Sequence, residues 1–219
     1  MRIGIIGAGF IGQAVAGLAR RTGHDVLISN SRGPQSLAAL SAELGVRAGE
    51  VEEAVQFGEI VLLAIPFGRI DTLPPELLAG RIVLDANNYY PDRDGRIAAL
   101  DDYRMTTSEM VARHFVRARV VKAFNAILAA DLAAGGQPAA SGHPRALPIA
   151  GDDAAAKAIV AGLHADFGFD CLDAGGLAES WRFERAKPAY CRPFDRRGLA
   201  QALADAERAV ELPHGSWRV

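Results

Sequence analysis

The residues whose spacing most directly implies chemistry are the glycines of Gly7-Ala8-Gly9-Phe10-Ile11-Gly12. A G-x-G-x-x-G run is informative only in context, since glycine turns are common. Here the apolar run Arg2 to Ile6 precedes it and reads as a short buried strand, and a helix-like run, Gln13 to Arg20, follows at once. In that order each glycine has a task. Gly7 permits the sharp turn out of the strand, Gly9 lets a pyrophosphate approach the backbone, and Gly12 lets the helix pack close to the sheet. The phosphates would rest on unpaired amides at the positive end of the helix. Residues 7–12 are therefore read as the cradle of a dinucleotide site.

The next strand, His24 to Asn30, bears on which dinucleotide. A site for the non-phosphorylated cofactor usually places Asp or Glu at the carboxyl end of this strand, against the adenine ribose 2′-OH. Asp25 is at the wrong end, about 15 Å away at ~3.3 Å per residue. The strand ends instead in Asn30-Ser31-Arg32. Arg32 can pair with a 2′-phosphate, and the Ser31 hydroxyl and nearby amides can donate to it. This chemistry favours NADP(H).

The second half of such a site lies where the strand order reverses, between the first and fourth strands. The fourth strand ends in Ala64-Ile65-Pro66-Phe67, and Pro66 offers a rigid apolar wall for a nicotinamide ring. Asn87 follows the fifth strand, and Lys122 and Asn125 close the sixth; these three are the catalytic candidates. Each has a bland alternative: turn chemistry for the asparagines and a structural ion pair for Lys122. His24, His114, His143, His164 and His214 show no metal spacing, so no metal site is expected. Ser108 and Ser141 lack a nucleophile-elbow context, and the Cys191 thiol reads as inert.

The elements that must position these residues alternate strand and helix. Strands are expected at 2–6, 24–30, 45–48, 60–65, 82–85 and 119–123, with two more near 146–150 and 169–172. Helices are expected at 13–20, 35–43, 50–57, 107–115, 153–165, 177–185 and 197–211, and 133–145 reads as a mobile loop. The fold class is α/β: a Rossmann-type, doubly wound, mostly parallel sheet with a short C-terminal α/β extension. Residues 1–185 would form the NADP-binding domain and 186–219 a helical extension of it. In that last helix Leu199, Leu203, Ala206 and Val210 form a stripe that either covers the sheet edge or makes a homodimer contact. The 219 residues carry a net charge of -2 with mixed signs, which gives no reason to expect nucleic acid or an anionic membrane as partner. With two cysteines, no leader-like start and no apolar run of ~20 residues, a cytoplasmic setting is expected.

Taken together, residues 7–12, Ser29 to Pro34, Ala64-Ile65-Pro66, Asp85 to Asn88, Val121 to Asn125, Ala150 to Asp153 and Asp173-Ala174-Gly175 resemble the NADP-dependent oxidoreductases of the coenzyme F-420 reductase family. The cytosolic domain of six-transmembrane metalloreductases is similar. The resemblance extends to about residue 185 and implies hydride transfer between the nicotinamide and a flavin or deazaflavin as small-molecule redox acceptor. It implies that Ser31 and Arg32 hold the 2′-phosphate. Pro66, Phe67 and the loop Gly175-Gly176-Leu177 would border the acceptor ring. The rival readings are a 3-hydroxyacid or imine-type reductase and an NADP(H)-binding redox sensor without turnover.

Overall fold

A computed structural model of the chain describes residues 1–140, 142–213 and 215–216; Ser141 and His214 lie outside the described residues. The strands are β1 (Arg2–Ile6), β2 (Asp25–Ser29), β3 (Arg47–Ala48), β4 (Ile60–Leu63), β5 (Ile82–Asp85), β6 (Arg119–Lys122), β7 (Ala146–Gly151) and β8 (Asp170–Asp173). The helices are α1 (Phe10–Arg21), α2 (Ala38–Leu44), α3 (Val51–Phe57), α4 (Pro91–Asp94), α5 (Ala98–Asp101), α6 (Thr107–His114), α7 (Ala129–Ala134), α8 (Ala154–Asp166) and α9 (Arg196–Ala204). The strands form one sheet in the order β3-β2-β1-β4-β5-β6-β7-β8. The fold is Rossmann-type, with every pairing parallel except the antiparallel β6–β7 contact.

Strand alternation divides the core in two. Ile60, Leu62, Ile82 and Leu84 face one side with α1 and α8; Val61, Leu63 and Val83 face the other with α6. All four residues of β4 and of β5 are buried, because a central parallel strand is covered on both faces. The register aligns the strand ends: Ser29 pairs with Ile6, Ile6 with Leu63, Leu63 with Asp85, and Asp85 with Lys122. This row is the carboxyl edge that carries the site, and the order reverses between β1 and β4.

Several expectations need correction. The helix expected at 35–43 begins as a 3-10 turn, Pro34–Leu37, before α2. The helix expected at 177–185 is a 3-10 segment, Leu177–Phe183. The stretch 133–145 contains the end of α7 and an isolated bridge between Pro138 and Pro144. The last helix ends at Ala204 rather than Glu211. The reason is Lys187: its buried ammonium donates to the carbonyls of Glu207, Arg208 and Val210, drawing that backbone away from helical pairing. Leu199, Leu203 and Ala206 are buried while Val210 is half exposed. Leu199 and Leu203 pack with Ala146, Ala150 and Leu172, so α9 covers the β7–β8 edge.

Candidate functional site

The glycine loop has the geometry its sequence requires. Gly7 sits at φ +113°, and its amide donates to the Ser29 carbonyl at 3.0 Å. A Cβ at Gly7 would stand 2.2 Å from the Ala64 carbonyl oxygen, and one at Gly12 1.9 Å from the Gly7 carbonyl oxygen. Both positions are therefore closed to any side chain. Gly9 differs: a Cβ there would meet nothing within 4 Å. Gly9 is the N-cap of α1 and supplies no side-chain cap. The first amides of α1, at Phe10, Ile11 and Gly12, have no intrahelical partner and stay available to an anion. Gly12 is buried, Ile11 is half-buried, and Phe10 is 84% exposed at the mouth of the loop.

The turn after β2 is held by its own side chains. Asn30 Oδ1 accepts from the Arg32 amide at 2.8 Å, and Asn30 Nδ2 donates to Ser36 Oγ at 2.9 Å. Ser31 and Arg32 are exposed, and among the described residues the Arg32 guanidinium has no protein partner. One carboxylate approaches this turn: Glu50 Oε1 lies 3.5 Å from the Cβ position of Gly33. It is engaged in a capping box with Glu53 at the start of α3.

These parts wall a cleft of about 590 Å³ at the switch point. Gly7, Ala8 and Gly9 form one side, Asn30, Ser31 and Arg32 another, and Ala64, Ile65 and Pro66 a third. The cleft also takes in Arg69, Thr72 and Leu73 from the segment after β4, which the sequence reading missed. The only signal was a basic residue three positions beyond a strand-ending proline, which is too common to single out.

The remaining candidates form a separate, buried knot. Lys122 is fully buried, and its ammonium donates to Asp85 at 3.2 Å, to the Asn87 carbonyl at 2.5 Å and to Thr107 Oγ1 at 2.7 Å. Ser108 Oγ donates at 2.5 Å to Asp85 Oδ2, the same carboxylate oxygen that takes the Lys122 bond. Asn87 Nδ2 donates to Asp85 Oδ1 at 2.7 Å, and Asn87 Oδ1 accepts from the Ile65 amide at 3.1 Å. Asn87 thus ties this knot to the Ile65-Pro66 wall. Asn125 donates to the Phe183 carbonyl and to Asn88 Oδ1. Phe67 is buried edge-on to Tyr89, and Leu177 lies in the same apolar cluster with its carbonyl accepting from Thr106. Gly175 and Gly176 approach Glu179 and Asp152. None of Phe67, Gly175, Gly176 or Leu177 lines the cleft.

Burial raises the Cys171 and Cys191 thiols to about 12 each, so neither is a nucleophile near neutrality. Burial lowers His164 to about 4. Among the described residues no group of three or more His, Cys, Asp and Glu is placed to hold a metal, and no helix is long and apolar enough to cross a membrane.

An open cleft with a glycine cradle at the switch point of a doubly wound sheet defines a Rossmann-type dinucleotide-binding protein. The comparisons narrow the class. Residues 2–89 match the family described as NADP oxidoreductase, coenzyme F420-dependent. The chain is 32% identical to metalloreductase STEAP3 of Rattus norvegicus over 186 residues, covering 84% of this chain and 36% of that protein. A hypothetical protein of Sinorhizobium meliloti, SMa0349, superposes with a TM-score of 0.77 at 32% identity, covering 90% of this chain and 95% of the other. A protein of Arthrobacter sp. FB24 described as an F420-dependent NADP-reductase gives a TM-score of 0.67 at 27% identity, covering 82% and 87%. Residues 2–89 carry the domain of the coenzyme F420-dependent NADP oxidoreductase family, and the chain spans about a third of the length of the metalloreductase it matches.

Proposed function

We propose that the chain binds NADP(H) across this cleft and passes hydride between the nicotinamide and a flavin or deazaflavin ring of the coenzyme F-420 type. One observation carries the cofactor assignment. At the end of β2 an exposed hydroxyl and an unpaired guanidinium, Ser31 and Arg32, line the same cleft as the glycine cradle. The first amides of α1 hold the pyrophosphate, and Ser31 and Arg32 hold the 2′-phosphate. Pro66 walls the ring-binding end.

When bound, the reduced nicotinamide supplies the hydride; the chain's own task is to align two rings and exclude water. That task needs no general acid. It agrees with the state of the polar side chains nearby, since Asp85, Asn87 and Lys122 are all engaged with one another or with neighbouring groups. Asn87 and Asn125 act as positioning residues: Asn87 holds the Ile65 amide and hence the proline wall, and Asn125 ties the end of β6 to the 177–183 segment. Phe67 and Leu177 belong to the apolar cluster against which Ile65 packs.

Two measurements test this reading. Arg32→Ala weakens NADPH binding about 10- to 100-fold, the range for a charge-assisted contact, and leaves NADH binding nearly unchanged. Equal losses reject the phosphate assignment. Steady-state NADPH oxidation is then followed with FMN, a deazaflavin, ferric chelates and small carbonyls. Reduction of the ring acceptors supports the proposal. Reduction of carbonyls alone favours the 3-hydroxyacid or imine-type reductase, and tight NADPH binding without turnover favours a redox sensor.

A further inference from the structure

A second cavity, of about 260 Å³, is walled by the segment after β5, the start of α6, the 181–187 segment and the chain beyond α9. Its size lies just below the usual range for whole ligands, so it would seat one end of a ring ligand and leave the rest towards solvent. Tyr89, Tyr103 and Trp181 supply aromatic surface.

Most of its charged groups are already committed. Glu184 accepts from the Thr107 amide at 2.9 Å and the Thr107 hydroxyl at 2.6 Å. Asp101 accepts from the Tyr89 hydroxyl at 3.0 Å and from Arg96 at 3.2 Å. Lys187 is held by three backbone carbonyls. Two guanidiniums are held only loosely. Arg185 has a side chain three-quarters buried; its ion-pair partner, Glu211, is 3.9 Å away, and it lies 5.5 Å from the Tyr90 ring centroid. Arg208 makes no hydrogen bond or ion pair among the described residues and lies 5.9 Å from the Trp181 ring centroid. Partly buried guanidiniums without full pairing are costly to keep unless something else supplies the acceptors.

The backbone points the same way. Tyr103, on the cavity wall, sits at φ 55°, and Ala186, between two lining residues, at φ 63°. Non-glycine residues rarely adopt this left-handed region, and such strain gathers at binding sites.

We propose that this cavity binds a planar ring bearing a phosphate or carboxylate, with the ring against Trp181 and Tyr103 and the anion on Arg185 and Arg208. Such a ligand has two sources. On the function proposed above it is the redox acceptor itself, since Tyr89 on this cavity lies two residues from Asn87, which holds the Ile65 amide of the cleft wall. Otherwise it is a separate effector.

FMN and riboflavin share one ring system and differ by a phosphate, so they test the site directly. Each is titrated by flavin fluorescence into the full chain with NADP⁺ at saturation, so that the dinucleotide cleft is filled. FMN binds at least about tenfold tighter than riboflavin, as expected for one charge-assisted contact. The R185Q/R208Q pair abolishes that preference, with NADP⁺ affinity and melting temperature retained, and R185K/R208K keeps part of it. Equal affinity for the two flavins, or a preference that survives R185Q/R208Q, overturns the proposal. Either failure with NADP⁺ binding intact leaves the dinucleotide reading standing. If NADPH reduces FMN with half-saturation at the binding constant, the ligand is the acceptor; if bound FMN is not reduced, the cavity serves an effector.

Discussion

The carboxyl edge of the sheet carries two polar regions whose composition looks alike and whose states are opposite. At the ends of β1, β2 and β4, donors without a partner among the described residues stand around an open cleft: the first amides of α1, the Ser31 hydroxyl, and the guanidiniums of Arg32 and Arg69. At the ends of β5 and β6, Asp85, Asn87, Thr107, Ser108 and Lys122 are buried and bonded to one another. The first region has capacity to spare and so can bind. The second has used its capacity on itself and so can only hold shape. Residue type alone does not separate the two; the number of partners already made does.

The largest expected effect breaks the comparison at its buried end. Lys122→Met leaves the Asp85 carboxylate, which is also fully buried, without its cation. Removing one member of a buried pair costs about 3–5 kcal/mol. Urea unfolding should show that loss, and binding of NADPH should suffer only as far as the folded fraction falls. A variant that keeps its stability but loses turnover would make Lys122 a catalytic residue and undo the contrast.

The next effect is a pH dependence of similar origin. His164 is fully buried, stacked on Phe124 with centroids 4.3 Å apart, and its Nδ1 donates to the Val160 carbonyl. Among the described residues Nε2 has no hydrogen-bond partner, so the ring is held neutral. Its folded value is depressed from 6.5 to about 4. Below the unfolded value the unfolded chain takes up a proton that the folded chain refuses. Stability therefore falls as pH drops from about 6.5 towards 4, by up to ~3 kcal/mol. His24, also lowered by burial, adds to the slope and is unaffected by changes at position 164. The difference in unfolding free energy between wild type and His164→Phe, followed from pH 7.5 to 4.5, should shrink or reverse as pH falls. A constant difference would mean that His164 takes up its proton as readily in the folded as in the unfolded chain.

How far these regions were legible in the sequence follows from the same contrast. The glycine cradle and the end of β2 are local: strand, turn and helix are contiguous, and each glycine has a reason within a few residues. The knot is not local. Lys122 meets Asp85 because two parallel strands share a register, and no feature near either residue announces the other. Lys122 therefore read equally well as a catalytic lysine and as an ion pair. The antiparallel turn of β7 and the early end of α9 have causes elsewhere too. For α9 the cause is Lys187, which gathers carbonyls from a segment about twenty residues on. Arg69 was missed because its relevance depends on the Pro66–Leu73 segment folding back over the cleft.

Arg69 gives the smallest and most discriminating prediction. Its guanidinium is exposed on the cleft and makes no ion pair among the described residues, so nothing in the fold depends on it. Arg69→Ala should leave the melting temperature within about 1 °C, in contrast to Lys122→Met, since surface changes of this kind stay within ~0.5 kcal/mol. A bound dinucleotide would place its phosphates in the field of this charge. An exposed cation of that sort contributes about 1 kcal/mol, roughly fivefold in affinity, and less as salt rises. Calorimetry at low and high ionic strength should show NADPH and NADH weakened alike, with the loss fading in salt. A loss confined to NADPH would mean that Arg69 shares the 2′-phosphate with Arg32, and the unpaired donors of the cleft would then act as one phosphate clamp rather than as a general anionic cradle.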